Sequence, residues 1–440
     1  MKILVFGDQL VVGGSQVNAI ELTAALRDLH GYDVVYFATP GPMVKLVEEK
    51  RLRFLPAPEA HSYPWPARIR ALREAVRNEH PDLLHVWEWG QCLDAFYGVH
   101  FSMRLPVLVS HMMMNLTRLL PKRLPTTYGT PELRDQAKAA GRWPVELLLP
   151  PVDVHLNAPD TVDPAPFRKQ YGIKDGDVTL VTVSRLHPQL KSESLFRTVD
   201  VVRRLGRDLP LRFVIVGDGD IRTSLEQLAD EVNAELGRPA VVLTGALLDP
   251  RPAYAAADIV IGMGGSALRG MAFSKPVIIV GEQGFSSPLT IETAESFYYK
   301  GIYGRGDGDP HNARLVENIG SLAEHPDKLQ ALGEFSRQFV VQHFSLGAVA
   351  SQLSDICRAA VNQVPPFHVG VADGFRSAAV SLIEGEALPY WSLRNMYHSL
   401  GGPPVFPAIR QARRKFVSLF GNQSKTILRE AKESGLKYPK

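Results

Sequence analysis

The sequence predicts an α/β fold with two doubly wound domains and a helical C-terminal extension. Three observations carry that expectation. The chain has 440 residues, too many for one ordinary hydrophobic core. Short runs rich in Ile and Val alternate with amphipathic stretches, the rhythm of parallel strands covered on both faces by helices. The rhythm breaks once, at residues 150–166 (PPVDVHLNAPDTVDPAP), a proline-dense stretch without amphipathic period that reads as an interdomain linker. The expected units are thus 1–150, 167–362 and the extension 363–440.

Bulk composition narrows the function classes. A net charge of +3 is too small to argue for nucleic acid as a partner. The two cysteines, Cys92 and Cys357, stand far apart in no ligand spacing, which speaks against a disulfide framework and a zinc site and suits a reducing, cytoplasmic setting. The first apolar run, 3–6, is too short for a signal peptide, and no run is long enough to span a bilayer.

Residues 3–6 read as the first strand, 7–14 (GDQLVVGG) as its turn, about 15–29 as a helix and 33–37 as the next strand. The turn carries Gly13 and Gly14, which either let the backbone bend or let a phosphate or sugar approach it closely. Two further strands, 83–87 (LLHVW) and 107–110 (VLVS), each end near a histidine, His85 and His111. The carboxyl edge of a parallel sheet is where open α/β folds bind ligands, so both are candidates, as well as candidates for satisfied core residues. Trp65, Trp87 and Trp89 could line an acceptor pocket or fill the core.

After the linker, strand 178–184 leads through Arg185 and Lys191 into helix 193–205. This cation pair at a sheet edge could neutralise a diphosphate. Strand 211–216, the turn 217–219, helix 221–236 and strand 241–244 follow, the last closed by Gly245. Residues 257–281 (ADIVIGMGGSALRGMAFSKPVIIVG) then place a glycine turn, 262–265, between strand 259–261 and a short helix, 267–273, before strand 277–280. Ser266 reads as the helix N-cap. Such a turn points unpaired N–H groups and the positive end of a helix dipole at the sheet edge, a phosphate site. In the extension, 409–420 (IRQARRKFVSLF) forms a basic amphipathic stretch that fits an anionic membrane, the parent domain or a second subunit.

Taken together, SRLHPQLKSESLFRTVDVV, FVIVGDGDIRTSLEQLA and VVLTGALLDPRPAYAAADIVI resemble successive nucleotide-binding segments of the retaining glycosyltransferases of family 4. GTPEL, PPVDVHLN and HFSL resemble that family's interdomain crossing and closing helix. The resemblance covers roughly residues 1–360 and implies the GT-B fold: two Rossmann-like domains facing each other across a cleft. It also implies a nucleotide-sugar donor as co-substrate, no metal or other cofactor, and a separate acceptor held by the first domain. By resemblance, Gly13 and Gly14 lie beside the donor diphosphate, His111 near the donor sugar, and Arg185 and Lys191 on the diphosphate. Gly245 and Ala246 match the backbone that meets the base, and Gly264, Gly265 and Ser266 lie by the distal phosphate. The implied reaction is hexosyl transfer with retention at the anomeric carbon. The alternatives are a non-catalytic subunit of the same fold and a nucleotide-sugar epimerase.

One departure stands out. The family carries two glutamates in this region; here the first loop is about six residues short, leaving GMGG, and the second position is Arg269. An arginine cannot accept hydrogen bonds from a ribose but can hold an anion, either a donor phosphate or a structural carboxylate such as Glu282 or Glu292.

Overall fold

The computed structural model describes residues 1–188 and 191–384. Thirteen strands form two sheets among them. The first holds β1 (Lys2–Phe6), β2 (Asp33–Ala38), β3 (Arg53–Pro56), β4 (Leu83–Trp87), β5 (Val107–His111), β6 (Thr126–Tyr128) and β7 (Val145–Leu147). Its order is β3-β2-β1-β4-β5-β6-β7, and every pairing is parallel. The second holds β8 (Val178–Val183), β9 (Leu211–Val216), β10 (Val241–Gly245), β11 (Ile259–Gly262), β12 (Val277–Val280) and β13 (Ser286–Pro288). Its order is β10-β9-β8-β11-β12-β13, parallel except for the antiparallel β12–β13 edge.

Why the central strands are continuous apolar runs is plain from their surroundings. Ile3, Leu4, Val5 and Phe6 are each fully buried, with Ile3 and Val5 facing one hydrophobic cluster and Leu4 and Phe6 the other. Helices therefore cover both faces, which is what removes the in-out alternation of a half-exposed strand. In each sheet the order reverses once, between β1 and β4 in the first and between β8 and β11 in the second. Ligands of open α/β folds bind at the carboxyl edge of such switch points.

The chain crosses between domains twice, side by side. Val152 N–H donates to Phe344 O at 2.8 Å, and Leu346 N–H donates to Val152 O at 2.8 Å. Arg337 donates to the carbonyls of Asn157 (2.9 Å), Val154 (2.8 Å) and Ala272, pinning the crossing to the second domain. The returning helix, Leu346–Val361, packs on the first helix, Gly14–His30, rather than on the second domain with which its sequence position groups it. Val349, Ala350, Leu353 and Cys357 are buried in the first domain's core, and Tyr32 Oη lies 2.7 Å from Ser354 Oγ. The extension's own helix, Phe367–Glu384, also docks on the first domain: Arg123 N–H donates to Asp373 at 2.8 Å and Tyr97 Oη to Gly374 O at 2.8 Å. The basic stretch 409–420, and with it the expected membrane or subunit contact, lies outside the described residues. No described helix is long and apolar enough to cross a membrane.

Candidate active site

Both switch points open onto one cleft, and a glycine pair starts a helix at each. Gly13 is the N-cap of helix Gly14–His30, in extended conformation; a Cβ on it would lie 2.2 Å from Gln16 Oε1. Across the cleft Gly264 is the N-cap of helix Gly265–Ala272, at φ 54° and ψ −134°, a conformation that demands glycine. Its N–H donates to Ile302 O at 2.7 Å. This corrects the expected cap. Ser266 lies inside the first turn, its Oγ donating to Met263 O at 3.1 Å, because Gly264 already turns the chain. Gly14, Gly264 and Gly265 line the same pocket, of about 180 Å³ and partly open to solvent. Two helix N-termini thus present free N–H groups and positive dipole ends to a single space.

The second domain adds cations. Leu186 is held against the Gly217–Gly219 turn: its N–H donates to Asp218 O at 2.9 Å and its carbonyl accepts from Ile221 N–H at 3.1 Å. Only glycine permits this approach, since a Cβ on Gly217 would sit 1.8 Å from Ser184 O. The anchored loop leaves Arg185 exposed and brings Lys191, half-buried, to the start of helix Ser192–Leu205. Burial, and then the Arg185 guanidinium, push the Lys191 ammonium below its usual pKa. Neither cation forms an ion pair with a described carboxylate. At the far edge of the sheet Gly245 takes φ 76° and its carbonyl accepts from Gly217 N–H at 2.9 Å, with Ala246 exposed beside it.

The first domain answers with carboxylates. Asp8, just after β1, accepts from Gln91 Nε2 at 2.6 Å and from Gln16 Nε2 at 3.5 Å. Glu88, just after β4, has φ 70° and ψ 168°, a region almost reserved for glycine. Only 8% exposed, it accepts from Ser15 Oγ at 2.8 Å and from Met112 N–H at 3.2 Å. Its other oxygen stands 3.0 Å from His111 Nδ1, although the angle there is not that of a hydrogen bond. Sequence reading missed Glu88, since a glutamate between Trp87 and Trp89 reads as a surface residue. The available signal was its position, one residue past the strand LLHVW at the switch point.

The structure bears on three of the candidates. His111 is fully buried as the last residue of β5; Nε2 lies 3.0 Å from Asn115 O, and the ring meets Tyr128 edge-on, so it supports the cleft wall instead of lining it. His85 is buried as well. Its Nε2 pairs with Ser110 Oγ at 2.8 Å, and burial pushes its pKa down to about 3. Arg269 meets neither Glu282, which accepts from Tyr303 Oη at 2.5 Å, nor Glu292, which accepts from Thr290 Oγ1 at 2.6 Å. Its guanidinium folds back toward Gly265 O (3.4 Å), and the carboxylate that feels its charge is Glu21 of the first domain. Burial raises the Glu21 pKa and Arg269 opposes that rise. Of the tryptophans, Trp87 is core, whereas Trp89 stays half-buried with its ring 5.1 Å from Tyr63.

Two such sheets meeting at a cleft define the GT-B class. The pattern of Glycosyltransferase Family 4 matches residues 12–136, and that of Glycosyl transferases group 1 matches residues 177–295. The chain belongs to this family of glycosyltransferases. Its fold is shared with a glycosyltransferase from Rickettsia africae ESF-5, at 14% identity and TM-score 0.64, covering 82% of this chain and 99% of that one. It is shared as well with Anabaena HepE in complex with UDP (16%, 0.64, 82% and 100%) and with sucrose-phosphate synthase from Thermosynechococcus elongatus (15%, 0.59, 81% and 98%). No curated protein sequence matches the chain.

Proposed function

We propose that the protein transfers a hexosyl group from a nucleotide-sugar donor to an acceptor, with retention and without a metal ion. The observation that carries this is the charge character of the two switch points: two helix N-termini line one pocket, and the second domain's switch point also carries Arg185 and Lys191 after β8, neither paired with a described carboxylate. In this reading Arg185, Lys191 and the N–H groups of Gly265 and Ser266, in the turn that Gly264 makes, hold the diphosphate, with Gly13 and Gly14 closing on it. Gly245 and Ala246 meet the base. As the sugar–phosphate bond breaks, those donors take up the charge developing on the leaving phosphate, the role a metal plays elsewhere. A front-face approach lets the leaving oxygen accept the acceptor's proton, so no separate base is required. Glu88 and His111 position Ser15 and the Met112 backbone beside the reacting carbon.

Titration calorimetry with UDP, GDP and dTDP, followed by product analysis with the corresponding sugars, tests the proposal. It expects diphosphate binding that needs Lys191, and a glycosylated product of unchanged anomeric configuration. An inverted product would discard the retaining mechanism. The absence of any nucleotide binding would leave the non-catalytic reading.

A further inference from the structure

The strand order fixes the direction in which a donor lies. Gly245 and Ala246 end β10 at one edge, Arg185 follows β8 and Gly264 follows β11 in the middle, and β12 and β13 lie beyond. With the base at the first edge and the diphosphate in the middle, the transferred sugar extends toward the β12 side. There the pocket opens, walled by Gly264, Gly265, Tyr298 and Gly301–Tyr303 of the second domain and by Met112–Met114, Thr130 and Leu133 of the first. The two walls come close: a Cβ on Gly301 would stand 3.0 Å from Thr130 Cγ2.

The chemistry of this pocket is unusual for a sugar site. No charged side chain of the described residues lines it. Its apolar surface comes from Met112, Met113, Met114, Leu133, Ile302 and Phe344, and Met113 and Met114 are 45% and 52% exposed. Three polar side chains are already engaged: Ser15 donates to Glu88, Thr130 Oγ1 accepts from Leu133 N–H, and Tyr303 donates to Glu282. Among its polar side chains Asn18 and the Tyr298 hydroxyl make no hydrogen bond to a described residue, so a guest meets few side-chain partners besides the backbone N–H groups at the helix N-termini. A fully hydroxylated hexose would bury several hydroxyls against thioethers and leave them unpaired, which is costly. A methyl group gains in the same place, and methionine adapts its shape to it.

We infer that the pocket selects a methyl-bearing glycosyl group, a 6-deoxyhexosyl or an N-acetylhexosaminyl, over a fully hydroxylated hexosyl. The inference rests on the donor reading above and adds the chemical class of the group transferred. The test compares matched donors by calorimetry: UDP-glucose, UDP-6-deoxyglucose and UDP-N-acetylglucosamine, with UDP alone as reference, and the same sets on GDP and dTDP. One methyl-bearing donor is expected to bind at least about tenfold tighter than its glucose counterpart, the scale of one methyl in an apolar pocket. The two methyl-bearing arms separate the deoxy from the acetyl form. Met114→Gln, at a half-exposed position that the fold tolerates, is expected to narrow that preference while leaving UDP affinity unchanged. Equal or tighter binding of UDP-glucose, with UDP itself bound, overturns the inference and leaves the donor reading standing. If no nucleotide binds, the donor reading falls and the inference falls with it.

Discussion

The two switch points share one construction and opposite chemistry. Each places a glycine-capped helix at the end of a central parallel strand. In the second domain that edge carries Arg185 and Lys191, with no carboxylate partner among the described residues; in the first it carries Asp8 and Glu88, held by the amides of Gln16 and Gln91, a serine hydroxyl and a backbone N–H. Fold alone does not dictate this asymmetry. One face is prepared for an anion, and on the other the acids are tied into the wall by amide, hydroxyl and backbone donors.

The largest expected effect is at Lys191. Its ammonium is disfavoured by burial and by Arg185, so Lys191→Met should stabilise the ligand-free protein while weakening donor binding by about 1.5–3 kcal/mol, the scale of a charged hydrogen bond. Thermal melts and calorimetry on the same sample check both signs; unchanged affinity would remove the second domain's half of the comparison. Next comes Glu88, whose backbone strain separates from its contacts by a pair of variants. Glu88→Gly should be more stable than Glu88→Ala by about 1–3 kcal/mol, reversing the usual order of these residues. Denaturant titrations that give alanine the advantage would show that the conformation carries no strain.

Beneath Glu88 the first domain is neutral, and this can be broken with acid. Thr127 Oγ1 donates to Ser110 Oγ at 2.9 Å, so the Ser110 hydroxyl is free to donate to His85 Nε2, leaving the proton of the neutral ring on the buried Nδ1. With the folded pKa near 3 and an unfolded value near 6.5, the unfolded chain binds the extra proton between them. Stability should therefore fall below about pH 6.5 by roughly 1.4 kcal/mol per unit from this residue, or about 2 kcal/mol by pH 5. Denaturation at pH 7 and pH 5 should lose one proton of dependence in His85→Gln. The smallest effect concerns the bridge between the regions. Arg269→Glu sets two carboxylates against each other at Glu21 and should lower stability modestly, by about 1 kcal/mol or less, with recovery when Glu21→Gln is added. A variant that instead tightens UDP binding would place position 269 at the ribose.

Central strands were legible because full burial leaves an apolar run that needs no context; Leu83–Trp87, Leu211–Val216 and Val277–Val280 begin and end where the pattern says. The short strands Arg53–Pro56, Thr126–Tyr128, Val145–Leu147 and Ser286–Pro288 were not, being three or four residues long with polar members. The glycine turns announced the cleft, yet residue type could not tell which way His111 faces: a strand's last side chain goes to core or ligand by register alone. Glu88 was illegible for a related reason, since positive φ on a glutamate leaves no mark in sequence. Arg269 was visible as an exception, but its counter-charge lies some 250 positions earlier in the chain, beyond any local pattern.

The helix Leu346–Val361 has a consequence for how the protein comes into being. During synthesis the first 150 residues leave the ribosome with the apolar face of Gly14–His30 bare, and its cover arrives only after the whole second domain has been made. The first domain must wait as an incomplete intermediate, and such intermediates are prone to aggregate. Gene halves split at the proline-dense crossing should for that reason yield an insoluble first product that becomes soluble when residues 346–361 are supplied alongside it.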